Sequence, residues 1–302
     1  MSITAAMVSE LRKTTGAGMM DCKKALTETG GNMEEAVDFL RKKGLSAAAK
    51  KSGRVAAEGM VVAGSQGTVG ALVEVNAETD FVAKNDAFQG FAAGIQSVVL
   101  NNAVADVEAL KALPYPGTGR TVAEELTHQI ATIGENMDLR RFVRVDAGQG
   151  VVAAYVHGGG KIGVLVEMQT ASTDARVEEL GKQIAMHVAA ASPQYLQREE
   201  VPSEVIDKEK DIMRVKALDS GKPENIVDKI IVGQINKYFG EVCLLEQAFV
   251  IDPDHKVSKV VENLAKELGT EIKLNSYVRF QLGEGIEKKE DDFAAEVAAL
   301  SK

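Results

Sequence analysis

An internal repeat places the strongest constraint on how this chain can fold. The segment VGALVEV, residues 69–75, reappears 93 residues later as IGVLVEM. A second segment, MDLRRFVRV at 137–145, is similar to IKLNSYVRF, which lies 135 residues further on. Each copy of the first segment follows an extended glycine-rich run and precedes an alanine-rich helical pattern. The sequence therefore predicts two copies of one folding unit.

Each copy, 55–147 and 148–282, is expected to contain a hairpin, two helices and a closing strand. A three-stranded antiparallel sheet with helices on one face would bury the aliphatic side chains of each copy. The α+β class follows from this arrangement.

The two offsets differ by 42 residues, so the second copy contains an insertion. Residues 203–241 have a charged helical pattern with one break at Ser220–Pro223, which predicts an inserted antiparallel helical hairpin. Its short and imperfect seam is expected along residues spaced by seven. These are Val205, Ile212 and Asp219, and also Ile206 and Met213, on one helix, with Val227, Gln234 and Glu241 on the other.

The residues ahead of the repeat, 1–43, are predicted to form three short helices. Thr4 and Asn32 are expected to cap the first and third of them. A linker is predicted at 44–54. The stretch from 41 to 54 carries six basic residues and no acidic one. Two interpretations of this charge stay open: contact with RNA or an acidic partner, or a solvated helix end and linker.

The overall charge argues against a general nucleic-acid binder. The 302 residues carry a formal net charge of −9, whereas such proteins usually present a dominant basic face. The two cysteines fit no metal or redox spacing. The N-terminus has no long apolar segment, and no run of 18 apolar residues follows. We expect a soluble cytoplasmic protein without a membrane span.

The motifs that could suggest catalysis lack the structural context or the partner residues that catalysis requires. Gly148–Ala153 fits the dinucleotide pattern G-x-G-x-x-A but precedes a strand instead of opening a helix. Gly158–Lys161 lacks the remaining residues of a phosphate loop and is predicted to be a hairpin turn. None of the four histidines has a metal-type partner nearby, and Cys22 has no nearby histidine. We expect no enzyme activity, no metal and no cofactor.

The stretch Thr79–Val82 (TDFV) is the strongest candidate for function. It places an acid and a large aromatic between a strand and a helix, where rigid elements often present functional residues. Phe81 has two interpretations, a core residue or an exposed functional one. At the offset of 93 the second copy has Ser172–Ala175 (STDA), without an aromatic. Because two copies of one scaffold keep the same positions facing the core, the repeat favours the exposed interpretation.

Two long motifs carry a family resemblance. LRKTTGAGMMDCKKAL at 11–26 and EVNAETDFVAK at 74–84 resemble the signatures of the bacterial elongation factor Ts family. The similarity continues through HGGGKIGVLV and the predicted hairpin to GEGIEKKEDDFAAEVAAL near the end, so it covers essentially the whole chain. The family consists of guanine-nucleotide exchange factors for elongation factor Tu.

The resemblance implies a task for several residues. The N-terminal unit is similar to ubiquitin-associated domains and would dock on the nucleotide-binding domain of elongation factor Tu through Arg12, Met19, Met20 and Lys23. Asp80 and Phe81 would intrude beside the magnesium site of the partner, and His157 would contact its third domain. Residues 283–302 resemble a C-terminal helical module that touches the nucleotide domain. The hairpin resembles a dimerisation or contact arm.

Three rival functions remain beside the exchange factor. The first is a non-catalytic adaptor that uses a ubiquitin-associated-like domain on a dimeric scaffold. The second is an RNA-binding protein, which the net charge of −9 disfavours. The third is a metabolic enzyme, for which the sequence supplies no catalytic arrangement. Direct binding of nucleotide or nucleic acid is not expected.

Overall fold

The computed structural model describes residues 3–287, with the side chain of Asn225 excepted. Within that range the chain is an α+β protein with two three-stranded antiparallel sheets and eleven helices. The predicted class and the predicted pair of sheets are therefore confirmed. The chain begins with three helices, α1 (Ala5–Thr15), α2 (Met19–Glu28) and α3 (Met33–Lys51).

The first and third helices begin where the capping residues predict. The Thr4 hydroxyl accepts a hydrogen bond from the Met7 N–H at 3.3 Å, and the Asn32 side chain accepts from two N–H groups of the first turn of α3. These caps satisfy backbone donors that have no partner inside the helix. The three helices enclose a small core of Val8, Leu11, Cys22, Ala25, Leu26 and Ala36.

The third helix is longer than the sequence predicts. The prediction ended it at residue 43, but α3 continues to Lys51 and includes most of the predicted linker. Gly44 does not break it, because this residue is buried against a neighbouring helix: a Cβ atom there would lie 3.3 Å from the Cβ of Ala131. The alanines that follow Gly44 also favour helix.

Most of the basic residues at or just after the end of α3 form ion pairs or hydrogen bonds within the protein. Arg41 pairs with Glu124, Lys43 with Asp21 and Arg54 with Glu78. The ammonium group of Lys51 donates to the carbonyl oxygen of Ile130 at 3.4 Å. These contacts favour the interpretation of a solvated helix end over contact with RNA.

The two copies of the repeat have the same strand order. The first comprises β1 (Glu58–Gln66), β2 (Val69–Ala77), α4 (Asp80–Ala83), α5 (Asp86–Asn101), α6 (Val107–Ala112), α7 (Val122–Ile133) and β3 (Met137–Asp146). The second comprises β4 (Gly150–His157), β5 (Ile162–Thr170), α8 (Ala175–Ala191), α9 (Ser203–Asp219), α10 (Glu224–Val242), α11 (Val257–Leu268) and β6 (Ile272–Gln281). The sheets run β1-β2-β3 and β4-β5-β6. The short helices α4 and α6 were not predicted.

A glycine near the start of each hairpin supports the repeat. Gly59 has φ of 119°, and a Cβ atom on it would lie 2.2 Å from the carbonyl oxygen of Val75. Gly150 has φ of 142°, and its Cβ would lie 2.1 Å from the oxygen of Met168. Met168 is the counterpart of Val75 at the offset of 93. Both copies therefore require glycine for the same close approach of two strands.

Register and core packing are well defined in the second copy. β4 pairs with β5 from Gly150 opposite Gln169 to His157 opposite Ile162. Alternate residues of β5, Val164, Val166 and Met168, pack with α8 and α11 in one apolar core. A strand buries alternate side chains on each face, so Glu167 lies on the opposite face of the sheet.

The inserted hairpin lies where the sequence predicts, as α9 and α10, but its seam differs. On α10 the buried side chains include Val227, Ile231, Ile235 and Phe239, spaced by four. Of the predicted seam, Val205, Ile206, Met213 and Val227 pack in the hairpin core, whereas Ile212, Asp219, Gln234 and Glu241 are exposed. The heptad prediction was therefore wrong for these four exposed residues, because two short straight helices can pack along rows of residues spaced by four without supercoiling.

The chain divides into two compact units. Among described residues, the first contains 3–62, 73–142 and 281–287, and the second contains 63–72 and 143–280. The domain boundaries given by the sequence stay predictions. Most of the predicted C-terminal module, 288–302, lies outside the described residues. No helix in the described range has both the length and the apolar character needed to cross a membrane.

Candidate functional site

The Thr79–Val82 segment forms a short helix between the first sheet and α5. β2 ends at Ala77, Thr79 is the extended residue before α4, and α4 ends after one turn at Ala83. Asn85 then starts the next helix by accepting hydrogen bonds from the N–H groups of Ala87 and Phe88 at 2.9 and 3.3 Å. Two helix starts within seven residues separate α4 from α5, so α4 is a distinct turn that we call the tip.

The tip has one buried side chain, Val82, that attaches it to the core, and two exposed side chains, Asp80 and Phe81. Val82 is buried. Phe81 is 78% exposed, and Asp80 is exposed beside it. Phe88, only seven residues later, is fully buried. The first copy thus has aromatic residues in its core, but Phe81 is not among them.

Lys84 lies close to both exposed residues of the tip. Its Nζ atom is 2.8 Å from a carboxylate oxygen of Asp80 and 5.7 Å from the centre of the Phe81 ring. Exposed ion pairs and cation–π contacts contribute about 1 kcal/mol or less each, because water competes for the charges. A partner can therefore displace Lys84 at little cost.

Two glutamates hold the residues that precede the tip. One carboxylate oxygen of Glu135 accepts the Thr79 N–H at 3.0 Å and the other accepts the Thr79 hydroxyl at 2.8 Å. In return, Glu78 accepts the N–H of Asn136 at 2.5 Å. We call these four residues the clasp. It joins the ends of β2 and β3, which are neighbours in the sheet.

The sequence reasoning did not identify Glu78 or Glu135. The two are 57 residues apart and meet only because β2 and β3 are adjacent. The repeat contained the signal that could have found them. At the same offsets as before, the second copy has Ala171 in place of Glu78 and Thr270 in place of Glu135.

The predicted contact residues of the N-terminal helices are all exposed. Arg12 lies in the last turn of α1, and Met19, Met20 and Lys23 lie at the start of α2. Met19 and Met20 are 59% and 74% exposed. Met19 and Lys23 are four residues apart and so share one face of α2. Exposed methionines give an apolar surface that can adapt to a partner.

His157 lies in the second compact unit, at the end of β4. It is exposed, and Gly158–Lys161 form the turn that follows, as predicted. Its Nδ1 atom lies 3.0 Å from the hydroxyl oxygen of Tyr155. This contact orients the imidazole.

Comparison with known sequences decides the family. The sequence profile described as Elongation factor TS matches residues 78–284. The chain belongs to the elongation factor Ts family. It is 70% identical to elongation factor Ts of Syntrophotalea carbinolica over the full length of both chains. It is 62% identical to that of Magnetococcus marinus, covering 99% of each chain, and 58% identical to that of Paramagnetospirillum magneticum, covering 98% of this chain and 96% of the relative.

The comparisons confirm the resemblance drawn from the two sequence motifs. A member of the elongation factor Ts family is a translation elongation factor. The comparisons do not address individual residues, so the functions of the tip, of Arg12, Met19, Met20 and Lys23, and of His157 stay predictions.

Both cysteines and His187, none of which belongs to the tip, are buried. Both cysteines are free and buried. Burial, with the negative charge of Glu246, raises the pKa of Cys243 to about 11, so that thiol is protonated at neutral pH. His187 is enclosed between α8 and the segment that follows α10. Among residues 3–287 no cluster of three His, Cys, Asp or Glu side chains has the arrangement of a metal site.

Proposed function

We propose that this chain is a guanine-nucleotide exchange factor that binds elongation factor Tu loaded with GDP and promotes release of the nucleotide. One observation carries the proposal: a member of the elongation factor Ts family holds a large aromatic residue, Phe81, in solvent in the first turn of a short, firmly attached helix. An exposed aromatic with no role in the core is suited to burial in a partner.

The energetic task of such a factor is large. A GTPase that holds GDP and Mg²⁺ with nanomolar affinity gains about 12 kcal/mol from its ligands. The factor does not need to contact the nucleotide, but it must bind the empty conformation more tightly than the loaded one. The coupling is reciprocal, so a rising nucleotide concentration expels the factor.

Phe81 and Asp80 would act differently at the partner. Burial of Phe81 would supply up to about 2–3 kcal/mol for stabilising the distorted site. Asp80 would rearrange hydrogen bonds near the magnesium ion instead of binding it, because one carboxylate cannot provide the octahedral oxygen shell that Mg²⁺ requires. Thr79 and Val82 hold the pair in place, through the clasp and the core.

Two further surfaces would contribute binding energy. The N-terminal helices, which we propose to be a ubiquitin-associated-like domain, would dock through Arg12, Met19, Met20 and Lys23. His157 would contact another domain of the partner. Attachment at two places lets binding energy be used to distort a site that the docking residues never touch.

The proposal includes no covalent chemistry. We propose that the chain is not an enzyme in that sense, that it acts in the cytoplasm, and that it binds neither nucleotide nor nucleic acid directly. The α9–α10 hairpin is proposed as the surface of a homodimer. Its exposed apolar residues include Val215 and Val232, which are 58% and 64% exposed.

The deciding experiment is release of fluorescent GDP from elongation factor Tu at substoichiometric amounts of this protein. An exchange factor should turn over many partner molecules, so every bound nucleotide is released quickly. A non-catalytic adaptor would bind the partner without accelerating release. That result would refute the proposed function and favour the adaptor.

A further inference from the structure

We propose that Glu135 and Glu78 are positioning residues for nucleotide exchange, which set the direction in which Asp80 and Phe81 project. The inference rests on the proposed function, but its structural basis does not. Neither glutamate is part of the TDFV segment: Glu135 acts through Thr79, and Glu78 through its hydrogen bond with Asn136.

The hydrogen bonding of Thr79 differs from that of most threonines that precede a helix. A threonine before a helix usually accepts a hydrogen bond from the first turn with its hydroxyl oxygen. Thr79 makes no such bond to α4. Its hydroxyl and its N–H both donate to Glu135, at 2.8 and 3.0 Å. The Thr79 side chain therefore does not cap α4 but attaches the start of the tip to the segment that contains Glu135.

Several further contacts make the base of the tip rigid. Glu135 follows Gly134, where α7 ends, and lies two residues before β3. Glu78 accepts from the Asn136 N–H, and the Asn136 side chain donates to the carbonyl oxygen of Arg54 at 2.8 Å. Arg54 also approaches the Glu78 carboxylate at 3.3 Å. Hydrogen bonds to a carboxylate are stronger than neutral ones, so the base of the tip is fixed at several points.

The second copy of the repeat has no such clasp among the described residues. There the equivalent connection is held by local bonds, from the Ser172 N–H to the Thr170 hydroxyl and from the Asp174 N–H to the Ser172 hydroxyl, each 3.1 Å. Alanine and threonine replace the two glutamates. The same scaffold therefore forms this connection without the clasp. The clasp accompanies the aromatic tip, which suggests that it serves the tip and not the sheet.

Positioning has a recognisable kinetic consequence. Phe81 and Asp80 would still reach the partner if the clasp were broken, because Val82 and the docking residues are unchanged. Their direction would vary, and small misplacements of a group that acts on a site reduce rates by about 10- to 100-fold. The maximal rate of GDP release should fall while the concentration for half-maximal rate stays nearly constant.

The test compares Glu135→Ala and Glu135→Met, neither of which can accept the two hydrogen bonds of Thr79, with Thr270→Ala, the matched change in the second copy. We expect both Glu135 variants to lower the maximal rate of GDP release about tenfold or more and to change the half-saturating concentration less than about threefold. The Thr270 variant should match the unaltered protein. Glu135→Met keeps most of the side-chain volume, so it remains informative if the alanine variant folds poorly.

Hydrogen–deuterium exchange of the free protein provides a second readout that needs no partner. The amides of residues 79–83 should exchange about tenfold faster in the Glu135 variants, since the clasp no longer restrains them. Unchanged exchange in these amides, or an unchanged maximal rate of GDP release, would overturn the inference. If the unaltered protein itself does not accelerate release, the proposed function fails, and the positioning role fails with it.

Discussion

The carboxylate of Glu74 is fully buried and forms an ion pair with Arg141, whose Nε atom lies 2.6 Å from one carboxylate oxygen. The other oxygen accepts from Arg140 at 2.9 Å and from the Gly283 N–H at 2.8 Å. The group joins β2 and β3 to the turn after β6. Burial raises the pKa of Glu74, but the hydrogen bonds from Gly283, Arg140 and Arg141 outweigh it, so the net pKa is below its ordinary value.

Replacing Glu74 by glutamine should reduce the free energy of unfolding by about 3 kcal/mol at neutral pH, because Arg140 and Arg141 lose a fully buried counter-charge. The exposed Glu284 carboxylate, 3.2 Å from Arg141, remains beside that arginine. The lowered pKa means that ionised Glu74 stabilises the fold above the unfolded-state pKa of about 4.3, and that this contribution is lost as pH falls through the lower folded pKa. The difference between the two proteins in denaturant titrations should therefore shrink in acid.

The matched control for Glu74 is Glu167→Gln in the second copy. Glu167 occupies the equivalent position, but its carboxylate accepts from the neutral side chains of Asn275 and Ser276 at 2.9 and 2.6 Å. Its replacement should cost about 1 kcal/mol, as for ordinary hydrogen bonds. Equal losses for the two variants would contradict the importance of the arginine pair.

Phe81→Ala should leave the fold intact but slow nucleotide release. Because the ring is 78% exposed, we expect the free energy of unfolding to change by less than about 0.5 kcal/mol. Loss of its burial in the partner should reduce the maximal rate of GDP release by about 10- to 100-fold. Phe88→Ala, at a fully buried position, should instead destabilise the protein by about 3–5 kcal/mol. A normal release rate in the Phe81 variant would refute the wedge role.

His187 should make the fold less stable as pH falls below neutrality. Its Nδ1 atom accepts the Val250 N–H at 3.1 Å, so the proton lies on Nε2, which donates to the Gln247 side chain at 2.9 Å. Burial lowers the pKa of His187, against the effect of the Gln247 contact. Below about pH 6.5 the unfolded chain binds a proton that the folded chain resists, so stability decreases by up to about 1.4 kcal/mol per pH unit.

Denaturant titrations at about pH 7.5 and pH 5.5 check this prediction. His187→Gln removes the titrating group, so the variant should lose less stability between the two pH values than the unaltered protein, whatever its stability at neutral pH. The same loss in both proteins would assign the pH dependence to other groups.

Val215→Glu combined with Val232→Glu should abolish a hairpin-mediated dimer. Both side chains are more than half exposed, so the change should have little effect on the hairpin core of Val227, Ile231 and Ile235. Like charges on an apolar interface carry a desolvation cost that opposes association. Sedimentation velocity should give a dimer for the unaltered protein and for the control Lys229→Glu, and a monomer for the double variant. A monomeric unaltered protein would contradict the dimer directly.

Local patterns made much of this fold predictable. The repeat located the strands from VGALVEV to IKLNSYVRF, because each copy uses the same alternation and the same glycine near its start. Capping residues located the starts of α1 and α3. The end of α3 was missed because Gly44 resembles a helix breaker, whereas its real environment, beside Ala131, depends on tertiary packing.

The candidate functional site likewise has one part that could be predicted from the sequence and one part that could not. Phe81 was identifiable because its counterpart in the second copy is not aromatic. The link between Thr79 and Glu135 was not, since it depends on which strands are neighbours and not on residues close in sequence. The buried Glu74 was likewise hidden inside a strand that reads as apolar, and its arginine partners come from another strand.

The division of the tip into buried Val82 and exposed Asp80 and Phe81 has a consequence for how such chains diversify. A replacement of Val82 lowers the stability of the free protein, so selection acts on it even without a partner. Replacements of the exposed Asp80 and Phe81 have little effect on the stability of the fold. Natural variation at these two positions therefore records the demands of the partner, and variation at Val82 records those of the core.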